Sequence, residues 1–160
     1  MRRDQFEHVI AAAAEVCGEW EIVVIGSQAI LGNVDEPPES MGSLGDGSHF
    51  QSQFGYYAHG VGPETAVAPA GWEDRLVRVD IPPRPGQSEG PVALCVEIHD
   101  LMLAKCAAGR DHDWRFVHDA LAAELVQVEE LHRRLQDLPE PPVDREHVRK
   151  MLEGIVARTR

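Results

Sequence analysis

The stretch Glu21-Ile-Val-Val-Ile-Gly-Ser-Gln-Ala-Ile-Leu-Gly32 constrains the chain more than any other. Ile22 to Ile25 is a short run of branched apolar residues ended by Gly26. Such a run reads as a strand buried on both faces, placed over Trp20–Ile25. Gly26-Ser27 breaks the strand, and Gln28 to Gly32 reads as a short helix. A glycine at that break lets backbone approach a ligand, because no Cβ stands in the way. The N–H groups of a helix start there suit a phosphate. Taken alone, the pattern is weak evidence for a ligand, and its plainer reading is a tight βα turn.

A chain of 160 residues, 43% of them hydrophobic, is long enough for one domain with a real core. It holds no apolar run of the roughly 20 residues that span a bilayer. The start Met1-Arg-Arg-Asp-Gln-Phe-Glu lacks the apolar core of a signal peptide, so a cytoplasmic protein with no membrane contact is expected. Cys17, Cys95 and Cys106 show no CxxC spacing and read as free, buried thiols. The His residues form no His-Glu-x-x-His pair that would suggest a transition metal. A formal net charge of -12 argues against non-specific nucleic-acid binding. The last helical stretch does carry Arg145, Arg149, Lys150, Arg158 and Arg160, either as a local basic patch or as a solvated face.

The rest of the chain divides as follows. Asp4–Cys17 reads as a helix capped by Asp4 and ended by Gly18. Residues 33–40 form an acidic Pro-containing loop and 42–48 a Gly/Ser/Asp loop. Phe50–Gly62 is aromatic and Gly-rich, with room for one short strand, and Val61–Val67 continues as a loop or strand edge. Leu76, Val77 and Val79 mark a half-buried strand within Trp72–Asp80. Pro82–Pro91 is turn-rich, and Val92–Ile98 is a second strand. Asp100 is placed to cap a helix over Leu101–Ala108, ended by Gly109. Helices follow from Asp111 past Ala123, over Val128–Leu138, and after a cap at Asp144. The expected architecture is α/β (α+β): a short mixed sheet flanked by helices, with further helices at the C-terminal end, in one domain over 1–160. Its core lies over about 20–121 and its helical part over about 122–160.

Four ordered blocks carry a resemblance. They are Val24-Ile-Gly-Ser-Gln-Ala-Ile-Leu-Gly32, Phe54-Gly-Tyr-Tyr-Ala-His-Gly-Val-Gly-Pro-Glu-Thr-Ala-Val67, Gly71-Trp-Glu-Asp-Arg-Leu-Val77, and Glu97-Ile-His-Asp-Leu-Met-Leu-Ala-Lys-Cys-Ala-Ala-Gly-Arg-Asp-His-Asp113. Together they resemble small bacterial nucleotidyltransferases of the DNA polymerase β-like superfamily, a family that includes the MenT-type toxins of toxin–antitoxin pairs. The resemblance implies a minimal nucleotidyltransferase fold using an NTP and Mg²⁺. It also implies tRNA as acceptor, modified at its 3′ end so that translation stops, and a cognate antitoxin as partner. Carried over, Gly26 and Ser27 hold the triphosphate. Lys105 contacts phosphate or balances transition-state charge, Arg110 joins it, and Asp113 orients Lys105 or takes part in acid/base chemistry. Lys105, Arg110 and Asp113 flank Gly109, where a helix-Gly-helix corner brings them together. Without the resemblance, Lys105 reads as a surface lysine and Asp113 as a first-turn helix acid. Glu97 reads either as part of the same cleft or as an exposed strand end.

The sequence departs from the family at one place. The fold's metal site needs an Asp/Glu-x-Asp/Glu pair on the strand after the Gly-Ser turn, because Mg²⁺ takes oxygen ligands. That acidic strand is expected between Met41 and Gly42, and the chain runs directly from one to the other. Asp35, Glu36 and Asp46 lack strand-alternate spacing, so the metal ligands are left unassigned. Either the chain lacks the strand and is a silent or repurposed relative, or the sequence as written passes over a mobile segment between about Ser40 and Gly45. The abrupt join favours the second. Three functions follow as expectations: transfer of nucleotides to tRNA, transfer of AMP to a protein hydroxyl, and nucleotide binding without turnover.

Overall fold

The computed structural model describes residues 1–41 and 67–159. The loop 42–48 with Asp46, the segments 50–62 and 61–66, nearly all of the Phe54–Val67 block, Arg160 and the Met41/Gly42 join lie outside those residues.

Helix α1, Arg3–Cys17, buries Phe6, Val9, Ile10 and Ala14 along one stripe. Gly18, at φ 69°, ends it in the left-handed conformation with its N–H on the Ala14 carbonyl at 2.9 Å. The N-cap is Arg2 rather than Asp4. The Gln5 side chain reaches back to accept the Arg2 N–H at 2.8 Å, which leaves Asp4 in the first turn, paired with Arg2.

Among the described residues three strands form a mixed sheet of order β1-β3-β2. They are β1 Glu21–Val24, β2 Val77–Asp80 and β3 Val92–Cys95. β1 runs parallel to β3, with Val24 opposite Cys95, and β2 runs antiparallel to it, with Val77 opposite Cys95. Val24, Val79, Ala93 and Cys95 share the covered face. Only the central strand has the near-continuous burial of an interior strand, in Val92, Ala93 and Cys95. β1 is not buried on both faces as its composition suggests. It is an edge strand among the described residues, and Val23 is 50% exposed on the outer face beside Arg78 and Glu21. The half-buried strand expected at Leu76, Val77 and Val79 is β2, and Trp72–Arg75 forms a 3₁₀ turn ahead of it.

β3 also ends earlier than expected, at Cys95, because helix α3, Ile98–Ala108, begins three residues later. Its cap is Glu97, whose side chain accepts the His99 N–H at 3.0 Å, and not Asp100, which lies one turn inside and is fully buried. α3 is apolar nearly all round because it is the central helix. It packs against helices α4 (Asp111–Ala122), α5 (Val128–Leu135) and α6 (Arg145–Thr159), against the short α2 (Ile30–Asn33), and against the 3₁₀ turn Ser27–Ala29. α2 lies flat on β3. A Cβ on Gly32 would fall 2.4 Å from the Cys95 sulfur, so only glycine permits the approach. α5 stops at Leu135 instead of Leu138, where 3₁₀-type bonds tighten the chain. Asp144 does cap α6, accepting the His147 N–H at 2.9 Å. One hydrophobic cluster runs from Phe6 in α1 to Ile155 in α6. No helix among the described residues is long and apolar enough to cross a membrane.

Candidate nucleotide-binding site

The Gly26-Ser27 turn leaves β1 at the carboxyl end of the parallel pair. Gly26 sits at φ 79°, ψ -169°, a region that only glycine adopts without strain. No atom of the described residues lies within 4 Å of the position a Cβ would take there, so among them the constraint is conformational, and the half-buried backbone stays open to approach. Ser27–Ala29 then forms a 3₁₀ turn, closed by Ala29 N–H on the Gly26 carbonyl at 3.0 Å, before the four residues of α2. The expected helix start is therefore a short 3₁₀ turn followed by a single α-turn.

Ser27 and Gln28 line a cavity of about 720 Å³ between this turn, α1 and the acidic loop. Glu7, Asp35, Glu36 and Glu39 face it as well. Arg3 also lines it, but its guanidinium pairs with Glu7 at 3.1 Å and donates to the Leu31 carbonyl at 2.6 Å. None of Lys105, Arg110 or Asp113 lines this cavity. Their link to the turn is the packing of α3 on Ser27–Ala29.

Those three side chains meet at the α3–α4 corner. Gly109 ends α3 at φ 67°, and α4 begins two residues on. Asp113, 0% exposed, accepts from Lys105 Nζ at 2.9 Å on one oxygen and from Arg110 Nε at 2.7 Å on the other. The Lys105 ammonium is buried too, 5.4 Å from the centre of the Phe116 ring. Arg110 is the open member, with 63% of its side chain exposed. Burial pushes the Asp113 carboxyl up, but the hydrogen bonds and charges of Arg110 and Lys105 outweigh it and hold it below the usual carboxylate range. The neighbouring Cys106 thiol is pushed up to about 12 by burial and by the Asp113 charge.

A second polar network escaped the sequence reading. Asp100 accepts Arg75 Nε at 2.7 Å and Nη2 at 3.1 Å, and pairs with Arg134 at 3.1 Å. Arg134 also pairs with Glu97 and Glu130. The His99 Nε2 accepts the Gln127 N–H at 3.1 Å, which assigns the ring proton to Nδ1, on Glu97 at 2.7 Å. Glu97 is thus neither a free strand end nor part of the Gly-Ser cavity. The signal in the sequence was Asp100 within the apolar run Ile98–Ala108, a charge that burial obliges to find partners. Asn33 was missed as well. Its side chain bonds the Ala29 and Val96 carbonyls and the Ile98 N–H.

Among the described residues no group of three His, Cys, Asp or Glu side chains converges on a metal position. These residues do not of themselves make the carboxylate cage that Mg²⁺ needs.

A three-stranded mixed sheet, a strand–Gly-Ser–3₁₀ turn and a helix corner joining Lys105, Arg110 and Asp113 make up a small α+β protein. A family described as "nucleotidyltransferase of unknown function (DUF6036)" matches residues 4–153, and the chain belongs to that family. No curated protein and no solved structure matches it.

Proposed function

We propose that the protein transfers a nucleotide from an NTP to the 3′ acceptor end of tRNA, as the toxin of a pair restrained by an antitoxin. Family membership supports the nucleotidyl-transfer class and an NTP donor. The tRNA acceptor and the antitoxin rest on the resemblance of the sequence blocks. The observation that carries the reading is the accessible, glycine-only turn at Gly26-Ser27, set at the carboxyl end of β1 and packed on the helix that bears Lys105. Phosphoryl chemistry asks little covalent help of a protein. It asks for alignment and for cations against developing charge. In this reading Gly26 and Ser27 seat the triphosphate, and Arg110 offers the solvent-facing guanidinium. Asp113 orients Arg110 and holds Lys105 beside it.

A second acceptor, a protein hydroxyl receiving AMP, is favoured by one observation. Every described Lys and Arg except Arg115 and Arg158 stands in an ion pair, including Arg145, Arg149 and Lys150 of the basic last helix. The test incubates the full chain with α-labelled NTPs, tRNA and whole-cell protein. Label on the tRNA 3′ end, lost in Ser27→Ala, supports the first reading; label on protein alone supports the second. NTP binding without label on either points to a silent binding module, and no binding at all ends the nucleotide reading.

A further inference from the structure

We infer that Asn33 is a positioning residue that locks the Gly26-Ser27 turn to the start of α3, and that nucleotide affinity depends on this lock. The inference rests on the nucleotide reading above. Asn33 is the last residue of α2 and is half-buried. Both hydrogens of its side-chain amide are used: Nδ2 donates to the Ala29 carbonyl at 2.8 Å and to the Val96 carbonyl at 2.9 Å. Its Oδ1 accepts the Ile98 N–H at 2.9 Å. Ala29 closes the 3₁₀ turn begun by Ser27. Val96 and Ile98 flank Glu97 where β3 passes into α3. Val96 in turn donates its N–H to the Val24 carbonyl at 3.0 Å, which returns the connection to the end of β1.

One side chain therefore joins the two βα junctions at the same end of the parallel pair. The chemistry is specific to asparagine. Aspartate keeps the acceptor for Ile98 but sets carboxylate oxygens against two carbonyls. Glutamine is one methylene longer, and alanine leaves one donor and two acceptors without their partner. A turn so short, four helical residues from its end, has little helix of its own to fix its orientation. The lock supplies that orientation from the α3 side.

The test uses the full chain and two substitutions, Asn33→Asp and Asn33→Ala, with Val148→Ala in α6 as a core control of reduced stability. ATP, GTP, CTP and UTP are titrated at a temperature where each variant is folded. Amide hydrogen exchange is followed at Ala29 and Ile98. Both Asn33 variants are expected to raise the Kd of the preferred NTP about tenfold or more and to speed exchange at both amides. The control keeps the wild-type Kd. In the wild type, NTP is expected to slow exchange at Ala29 and Ile98 together, a measurement that needs no variant to fold. Wild-type affinity in folded Asn33 variants, equal loss in the control, or no coupled protection at the two amides overturns the inference. A wild type that binds no NTP overturns the reading beneath it, and is seen before any variant is made.

Discussion

Asp113 holds two cations with one buried carboxylate, and removing its charge leaves the Lys105 ammonium uncompensated in the interior. Asp113→Asn is expected to cost about 3–5 kcal/mol, read as a shift of the urea midpoint at pH 7. The pH dependence follows from the direction of the shift. The folded carboxyl titrates below its ordinary value of 3.8, so its stabilisation is complete above that value and disappears as pH falls through the folded one. The difference between wild type and Asp113→Asn should therefore shrink as pH falls from about 4 and be constant above it. A difference that grows in acid would show that the ion pair is not the source. Gly26 makes a different demand. Its φ of 79° with ψ -169° disfavours an L side chain, although no atom of the described residues stands where a Cβ would go. Gly26→Ala is expected to cost about 1–3 kcal/mol in thermal unfolding, and D-alanine placed there by semisynthesis to restore stability.

Between elements, the tie of greatest consequence is Arg75 to Asp100, because it joins the turn before β2 to the inside of α3. Arg75→Ala leaves a fully buried carboxylate with Arg134 alone and should destabilise by about 3 kcal/mol. The pair Arg75→Met with Asp100→Leu should recover most of that loss, and a double-mutant cycle in urea measures the coupling. This tie also shows where reading the chain by itself stops. The strand–Gly-Ser–helix stretch was legible because an apolar run and a glycine are local signals. The Lys105, Arg110 and Asp113 corner was legible because it closes within one helix–Gly–helix junction. Asp100 was misplaced as a cap because aspartate near a helix start ordinarily is one. Its true partners come from residues 75 and 134, which no local pattern links to it. Likewise, the exposure of Val23 depends on what covers a sheet face, and an apolar run looks the same at an edge as in the middle.

For the molecule as a whole, the thiols and the charges give separate handles. Burial pushes Cys95 and Cys106 up to about 12, while Cys17 is exposed at the end of α1. Iodoacetamide at pH 8 should label Cys17 alone in the native chain and all the cysteines once it is unfolded, with peptide mapping as the check. The charges bear on the acceptor. Affinity for a nucleic-acid backbone falls with salt in proportion to the number of cations that displace counterions, with a slope of about -0.7 per contact for single strands. This chain carries a net charge of -12, and only Arg115 and Arg158 among its described cations lack an ion pair. If tRNA is the acceptor, it is held by few phosphate contacts. Between 50 and 200 mM salt, the log–log slope of tRNA binding should then be shallower than about -2. A slope of about -4 or steeper would mean that pairs such as Arg149 with Glu146 open onto the RNA backbone, and charge reversal at Arg149 and Lys150 would then abolish labelling.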